Sequence, residues 1–114
     1  MAEKLRIAIP CAEGRLAMHF GHCQEFALVD VEDGDIVGTV TEEPPTHAPG
    51  VLPAWLQEHG VNVVVAGGMG SRAQGLFAQV GIRVVIGAPS LEPQEIALQY
   101  VAGTLAGGDN ICDH

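Results

Sequence analysis

The stretch Val61-Asn62-Val63-Val64-Val65-Ala66 constrains this chain more than any other. It is a nearly continuous apolar run with no alternation. A strand with one wet face alternates apolar and polar residues, whereas a strand covered on both faces does not. The chain must therefore build layers on both sides of a sheet. Gly67-Gly68-Met69-Gly70 follows the run, and Ser71-Arg72-Ala73-Gln74 has the spacing of a capping box, which predicts a helix from Ser71 to Gly81. Ile82-Arg83-Val84-Val85-Ile86 is a second covered strand. Two such strands joined by a helix make a right-handed parallel unit.

The first half has a different pattern. Leu5–Cys11 predicts a strand ended by Pro10, Phe26–Val31 a second, and Ile36–Val40 a third. Asp33-Gly34 between apolar runs is a hairpin signal, so the second and third strands pair antiparallel. Residues 41–50 hold three prolines, a glycine and His47, and form a loop. Pro53 suits the first turn of a helix that Gly60 ends. Ser90 and Pro93 open a last helix that closes near Gly103. The expected fold is α/β, in the order βββαβαβα, with a five-stranded mixed sheet and helices on its faces. Residues 1–104 form one domain, and 105–114 a flexible, glycine-rich tail carrying Cys112 and His114.

Composition narrows the partners. Of 114 residues, 47% are hydrophobic and 17% charged, which excludes disorder. The net charge is −9 with only 5 Lys and Arg. Nucleic acid and anionic membrane surfaces are repelled by such a chain. No apolar run approaches the roughly 18 residues of a membrane helix, and the first strand begins too early for a signal peptide. A cytoplasmic protein is expected. Its three cysteines are an odd number, so they read as thiols or metal ligands, not a disulfide framework.

Topology gives the reactive residues a place. With the carboxyl end of strand one as the upper end, segment 11–25, the loop with His47 and the turn Gly67–Gly70 all belong there. Ligand sites in open α/β sheets lie outside the carboxyl ends of the strands. His19-Phe20-Gly21-His22-Cys23 supplies three soft or borderline ligands within five residues. Imidazole and thiolate suit zinc, copper and iron–sulfur centres. His19, His22 and Cys23 are thus candidate metal ligands, each with the alternative of a solvated loop histidine or a small buried thiol. Cys11 belongs to the core, and His59 to the lower end. Cys112 and His114 are candidate ligands on the tail, which leaves from the lower end. About nine extended residues could span roughly 30 Å back to the site.

Gly67-Gly68-Met69-Gly70 before a helix start is an anion site in principle. It could hold a phosphate or the sulfide face of a cluster, or be no more than a tight turn. Gly68-x-Gly70-x-x-Ala73 also fits a relaxed dinucleotide fingerprint, but no acidic residue ends the following strand. There is no paired-carboxylate magnesium site, no Gly-x-Ser-x-Gly elbow, and no orienting group for a Cys23–His22 nucleophile. The chain therefore reads as a binding protein and not an enzyme.

His19-Phe20-Gly21, the loop ending His47-Ala48-Pro49-Gly50, and Gly67–Ala73 together resemble the dinitrogenase iron–molybdenum cofactor biosynthesis family. That family includes NifX- and NafY-type carriers and the carboxyl-terminal domain of NifB. The resemblance covers nearly the whole chain. It implies a ribonuclease H-like fold without the nuclease carboxylates. It also implies carriage of an iron–molybdenum cofactor precursor, an iron–sulfur cluster or a molybdenum–copper sulfide cluster, the last associated with the orange proteins of the same family. In the resemblance His19 takes the role of the His-Phe-Gly histidine, a role that does not extend in the same way to His22, Cys23, His47 or Cys112. Phe20, Gly21, His47 and Gly67–Gly70 are cofactor-binding candidates through their place at the upper end. Cluster donor and acceptor proteins are the implied partners, and the chain resembles the stand-alone branch. The alternative is a regulatory module that binds a nucleotide or phosphate ligand through Gly67–Gly70.

Overall fold

The computed structural model describes residues 4–17, 24–44 and 51–103. Its elements are β1 (Lys4–Ala12), β2 (Arg15–Leu16), β3 (Glu25–Glu32), β4 (Asp35–Glu42), α1 (Val51–Glu58), β5 (Val63–Val65), α2 (Ser71–Gln79), β6 (Arg83–Val85) and α3 (Pro93–Ala102). One sheet runs β4-β3-β1-β5-β6, with β2 paired to β1. β3 is antiparallel to both β1 and β4, while β5 is parallel to both β1 and β6. The fold is α/β with a mixed sheet, as the sequence predicts. The expected five strands become six through the two-residue β2.

Side chains leave β1 alternately toward two apolar layers. Ile7, Ile9 and Cys11 join Val29, Val65, Ile96 and Ala97 beneath α3. Ala8 faces the other way, among Phe26, Leu56, Val64 and Phe77 beneath α1 and α2. Two-sided coverage explains why the residues around β5 read as an unbroken apolar run. Cys11 is 2% exposed and is a core residue.

Both tight turns use positive φ at two successive positions. Asp33 (φ 53°) and Gly34 (φ 86°) join β3 to β4, the backbone pattern of a two-residue hairpin turn. Glu13 (φ 56°) and Gly14 (φ 80°) do the same between β1 and β2.

Pro10 does not end the first strand. It lies inside β1, opposite Phe26 of β3. Its carbonyl accepts a hydrogen bond from the Ala17 N–H at 2.8 Å, on the side away from β3. On that side the register with β5 covers Ile7 and Ala8, and that with β2 begins at Cys11. The missing proline N–H lies on that same side, away from β3, so the β1–β3 ladder loses no bond.

The expected capping box also shifts. The N-cap of α2 is Gly70 (φ −62°, ψ 151°), and no side chain caps it. Ser71 is the first helical residue. Gln74 is then one position too far along to complete the box, and its Nε2 donates to the Met69 carbonyl at 2.9 Å. Ser90 likewise does not cap α3, whose N-cap is Glu92 with Pro93 following.

The lower end is fastened by Arg6. Its Nε donates to Asp30 Oδ1 at 2.6 Å, its Nη2 to Asp30 Oδ2 at 3.2 Å, and its Nη1 to the His59 carbonyl at 2.6 Å. The Asp30 hydrogen bond is the main reason that the guanidinium is held above its ordinary pKa. Asn62 closes the set, with its Oδ1 accepting from the Arg6 N–H and its own N–H donating to the Arg6 carbonyl. One residue of β1 thus ties the end of α1 through its side chain and the start of β5 through its backbone.

Phe77 is fully buried and links α2 to the layer beneath α1. Phe77→Ala is expected to cost about 3–5 kcal/mol through lost burial and the cavity left behind. Urea unfolding should show a lower midpoint with an unchanged slope.

Candidate functional site

The upper end of the sheet is built from turns. β1 and β5 run upward in parallel, so Ala12 and Ala66 emerge at the same end. β6 delivers Ile86–Glu92 there, and β4 delivers Glu42–Pro44.

Three contacts fix the β1–β2 hairpin at this end. The Leu16 N–H donates to the Leu91 carbonyl at 2.9 Å, and Ser90 Oγ donates to the Leu16 carbonyl at 2.9 Å. The Gln24 N–H donates to the Cys11 carbonyl at 2.7 Å. Ala17 and Gln24, the described residues on either side of segment 18–23, are therefore both tied to the end of β1. Pro44 and Val51 flank segment 45–50, following β4 and opening α1.

The turn after β5 is zipped to the turn after β6. The Ala66 N–H donates to the Val85 carbonyl at 2.8 Å, the Gly87 N–H to the Gly67 carbonyl at 2.9 Å, and the Ala88 N–H to the Ala66 carbonyl at 3.2 Å. Gly67, Gly68 and Met69 are buried, and Gly70 is half-buried. The Met69 side chain belongs to the core beneath α1 and α2, so it anchors the turn from below. Gly70 differs from its neighbours. Its φ of −62° suits any residue, and a Cβ placed there meets nothing within 4 Å. Neither backbone strain nor crowding by the described residues requires glycine at 70.

The first turn of α2 presents backbone N–H groups that no side chain caps. Such a helix start favours negative charge. Arg72, exposed in that same turn, adds a cation at the upper end. Sequence reasoning quoted Arg72 only within a motif and missed it as a candidate, although its place after a glycine turn was a usable signal. The hairpin contacts from Ser90 and Leu91 were missed as well, since nothing in a sequence couples residues 16 and 90.

The remaining predicted site residues lie outside the described residues. These are His19, Phe20, Gly21, His22, Cys23, His47, Cys112 and His114. Among the described residues no three of His, Cys, Asp or Glu are grouped to hold a metal. His59 is at the lower end, its Nδ1 within 2.8 Å of the Trp55 carbonyl and its ring 4.6 Å from that of Trp55. Gly103, from which the tail departs, caps α3 with φ 73°, and Tyr100 and Val101 line a lower cavity with Leu5, Val31 and Gly34. The tail therefore starts at the end opposite the glycine turn. No helix among the described residues is long and apolar enough to cross a membrane.

A family model described as dinitrogenase iron-molybdenum cofactor matches residues 3–103. The chain belongs to this family. The association it carries is with iron–molybdenum cofactor biosynthesis or carriage. A relative of Methanocaldococcus jannaschii, an uncharacterized protein, is 34% identical over 85 residues, covering 70% of this chain and 72% of its own length. The crystal structure of PH0822 superposes with a TM-score of 0.82 at 30% identity, covering 90% of this chain and 93% of that one. The apo form of the orange protein from Desulfovibrio gigas gives a TM-score of 0.73 over 96% of this chain and 98% of that one. Its 19% identity speaks for the shared fold alone.

Ser90 fastens the hairpin from which segment 18–23 departs. Ser90→Ala should cost about 1 kcal/mol. It should also speed hydrogen exchange at the Leu16 amide while leaving exchange at Val64 unchanged.

Proposed function

We propose that this chain is a carrier that binds a metal–sulfur cluster as cargo at the upper end of its sheet and passes it to an acceptor protein, without transforming it. The cargo class is an iron–molybdenum cofactor precursor, or an iron–sulfur or molybdenum–copper sulfide cluster. One observation carries the reading. The described flanks of both ligand-bearing segments, 18–23 and 45–50, share one end of the sheet with the uncapped start of α2.

In this reading His19 is the leading ligand, with His22 and Cys23 beside it and His47 approaching from the second segment. Imidazole and thiolate bind iron and copper as soft or borderline donors and can be exchanged for an acceptor's ligands. A sulfide-rich cluster is negatively charged. The N–H groups of α2 and the Arg72 guanidinium supply complementary charge without a covalent bond. That division suits transfer, since charge complementarity holds the cargo while few bonds must break to release it. Gly70 keeps the approach to the helix start open. Cys112 and His114 join the site only if the tail returns from the lower end.

Anaerobic reconstitution with iron, sulfide and either molybdate or copper tests this. The expected result is visible charge-transfer absorption with stoichiometric metal. His19→Ala should lose most of the metal, and Gly70→Val should lose it with little change in thermal stability, because the added side chain enters open space. A protein that stays colourless and metal-free under all these conditions overturns the proposal. Calorimetric binding of a nucleotide that is abolished by Gly70→Val would favour the phosphate-ligand alternative instead.

A further inference from the structure

The sheet ends at β4, and among the described residues nothing pairs with its outer edge. Proteins blunt such edges with lysines, prolines, bulges or short strands. β4 has eight residues, with no lysine and no proline. Its protective devices are a bulge, since Asp30 pairs with Gly38 and Val31 with Ile36, leaving Val37 unmatched, and the acidic residues Asp35 and Glu42 at its two ends. Above the bulge the register from Gly38 to Glu42 is regular. Thr39, Val40 and Thr41 are successive strand-forming residues, all exposed, so neither face of the upper strand is covered. Val37 is 61% exposed and Val40 48%.

Charge says what fits there. Residues 16–71 contain eight Asp and Glu and no Lys or Arg. Asp33 and Asp35 stand at the lower end of β4, and Glu42 and Glu43 at its upper end. A second copy of the chain is a poor occupant. Two antiparallel β4 strands paired along their full length would set Asp35 of each copy against Glu42 of the other, where like charges destabilise a strand pair. A shorter pairing over Gly38–Glu42 still joins two edges that carry Asp33, Asp35, Glu42 and Glu43 and no cation between residues 33 and 43. The tail of this chain is no better, because Asp109 and Asp113 bring the same sign.

We infer that the upper half of β4, Gly38–Glu42, is a docking edge for an extended basic segment of a partner protein, which adds to the sheet as a further strand. Main-chain hydrogen bonds to Gly38–Glu42 supply attachment, Val40 supplies an apolar contact, and the acidic residues at both ends select lysine or arginine at the ends of the incoming strand. The inference rests on the edge and its charge, and stands whether or not the cargo is a metal cluster.

The test uses the full chain and a synthetic nine-residue peptide of alternating valine and threonine flanked by two lysines at each end. A control peptide has the same sequence with alternate backbone nitrogens methylated, which keeps its charge and removes its strand donors. Calorimetry should show binding of the first peptide and at least about tenfold weaker binding of the second, a difference of about 1.4 kcal/mol. Alternate amides between Gly38 and Glu42 should gain hydrogen-exchange protection. Val40→Lys, at an exposed position that the fold tolerates, should weaken the first peptide by a similar factor. Equal binding of both peptides means mere charge adsorption and overturns the inference, as does no binding of either. A dimer of the free protein that Val40→Lys dissociates assigns the edge to a second copy and also overturns it. Protection of Gly38–Glu42 without peptide, lost on deleting residues 104–114, assigns the edge to the tail with the same result.

Discussion

The arrangement depends on β1 serving two ladders of one sheet at once. Along one side it pairs antiparallel with β3 from Lys4 to Cys11, and along the other it pairs parallel with β5 at Ile7 and Ala8. Its side chains also divide between two layers of unequal fullness. The α1–α2 layer already holds Phe26, Leu56, Met69 and Phe77, and receives Ala8 from β1. The α3 layer takes Ile7 and Ile9. A slip of one residue would send both isoleucines into the crowded layer and the alanine into the other. Only one register packs both, and Arg6 holds it from the lower end through Asp30, His59 and Asn62.

That register decides where chemistry can occur. Because β1, β5 and β6 are parallel, their carboxyl ends meet at one edge of the sheet. At the lower end the side chains of Arg6, Asp30 and Asn62 are committed to hydrogen bonds within the fold. The upper end is closed largely by backbone hydrogen bonds, such as Leu16 to Leu91 and Gly87 to Gly67. Among the described residues, main-chain closure leaves the Arg72 side chain uncommitted at the upper end and leaves space before Gly70 that no described side chain fills.

Much of this was legible from local pattern. The unbroken valine run required two covering layers, Asp33-Gly34 required a hairpin, and the glycines at 60 and 103 marked helix ends with the positive φ they adopt. The failures share one cause, which is that a local rule was applied without its tertiary partner. Pro10 was expected to stop a strand, but its missing donor faces away from β3, whose ladder with β1 runs on to Cys11. β2 has only two residues, too few to show a period, although Gly14 preceded by a residue able to take positive φ was a faint signal. Ser71 matched a capping box whose register the zipped turn at Gly67 overrode by one residue. For the candidate site, topology placed Gly67–Gly70 correctly at the upper end, yet could not show that Met69 points into the core. His19, His22, Cys23, His47, Cys112 and His114 lie outside the described residues, so their legibility rests on the motif that holds them.

The composition of the core separates stability from recognition. Among the described residues no polar or charged side chain is buried. The one thiol in these layers, Cys11, is turned inward with its Sγ donating to the Ile9 carbonyl at 3.3 Å, so the described core offers no grouped ligands to a cluster. A cofactor ligated by core residues would make folding and binding one equilibrium, as in small zinc domains. Here the framework closes without such a group, so changes at the upper-end segments act on binding while the aliphatic layers keep the fold. A carrier benefits from that separation, because releasing its cargo then need not unfold it. The same reasoning applies to the opposite margin of the sheet, where β4 adds little to the core and so leaves its edge available.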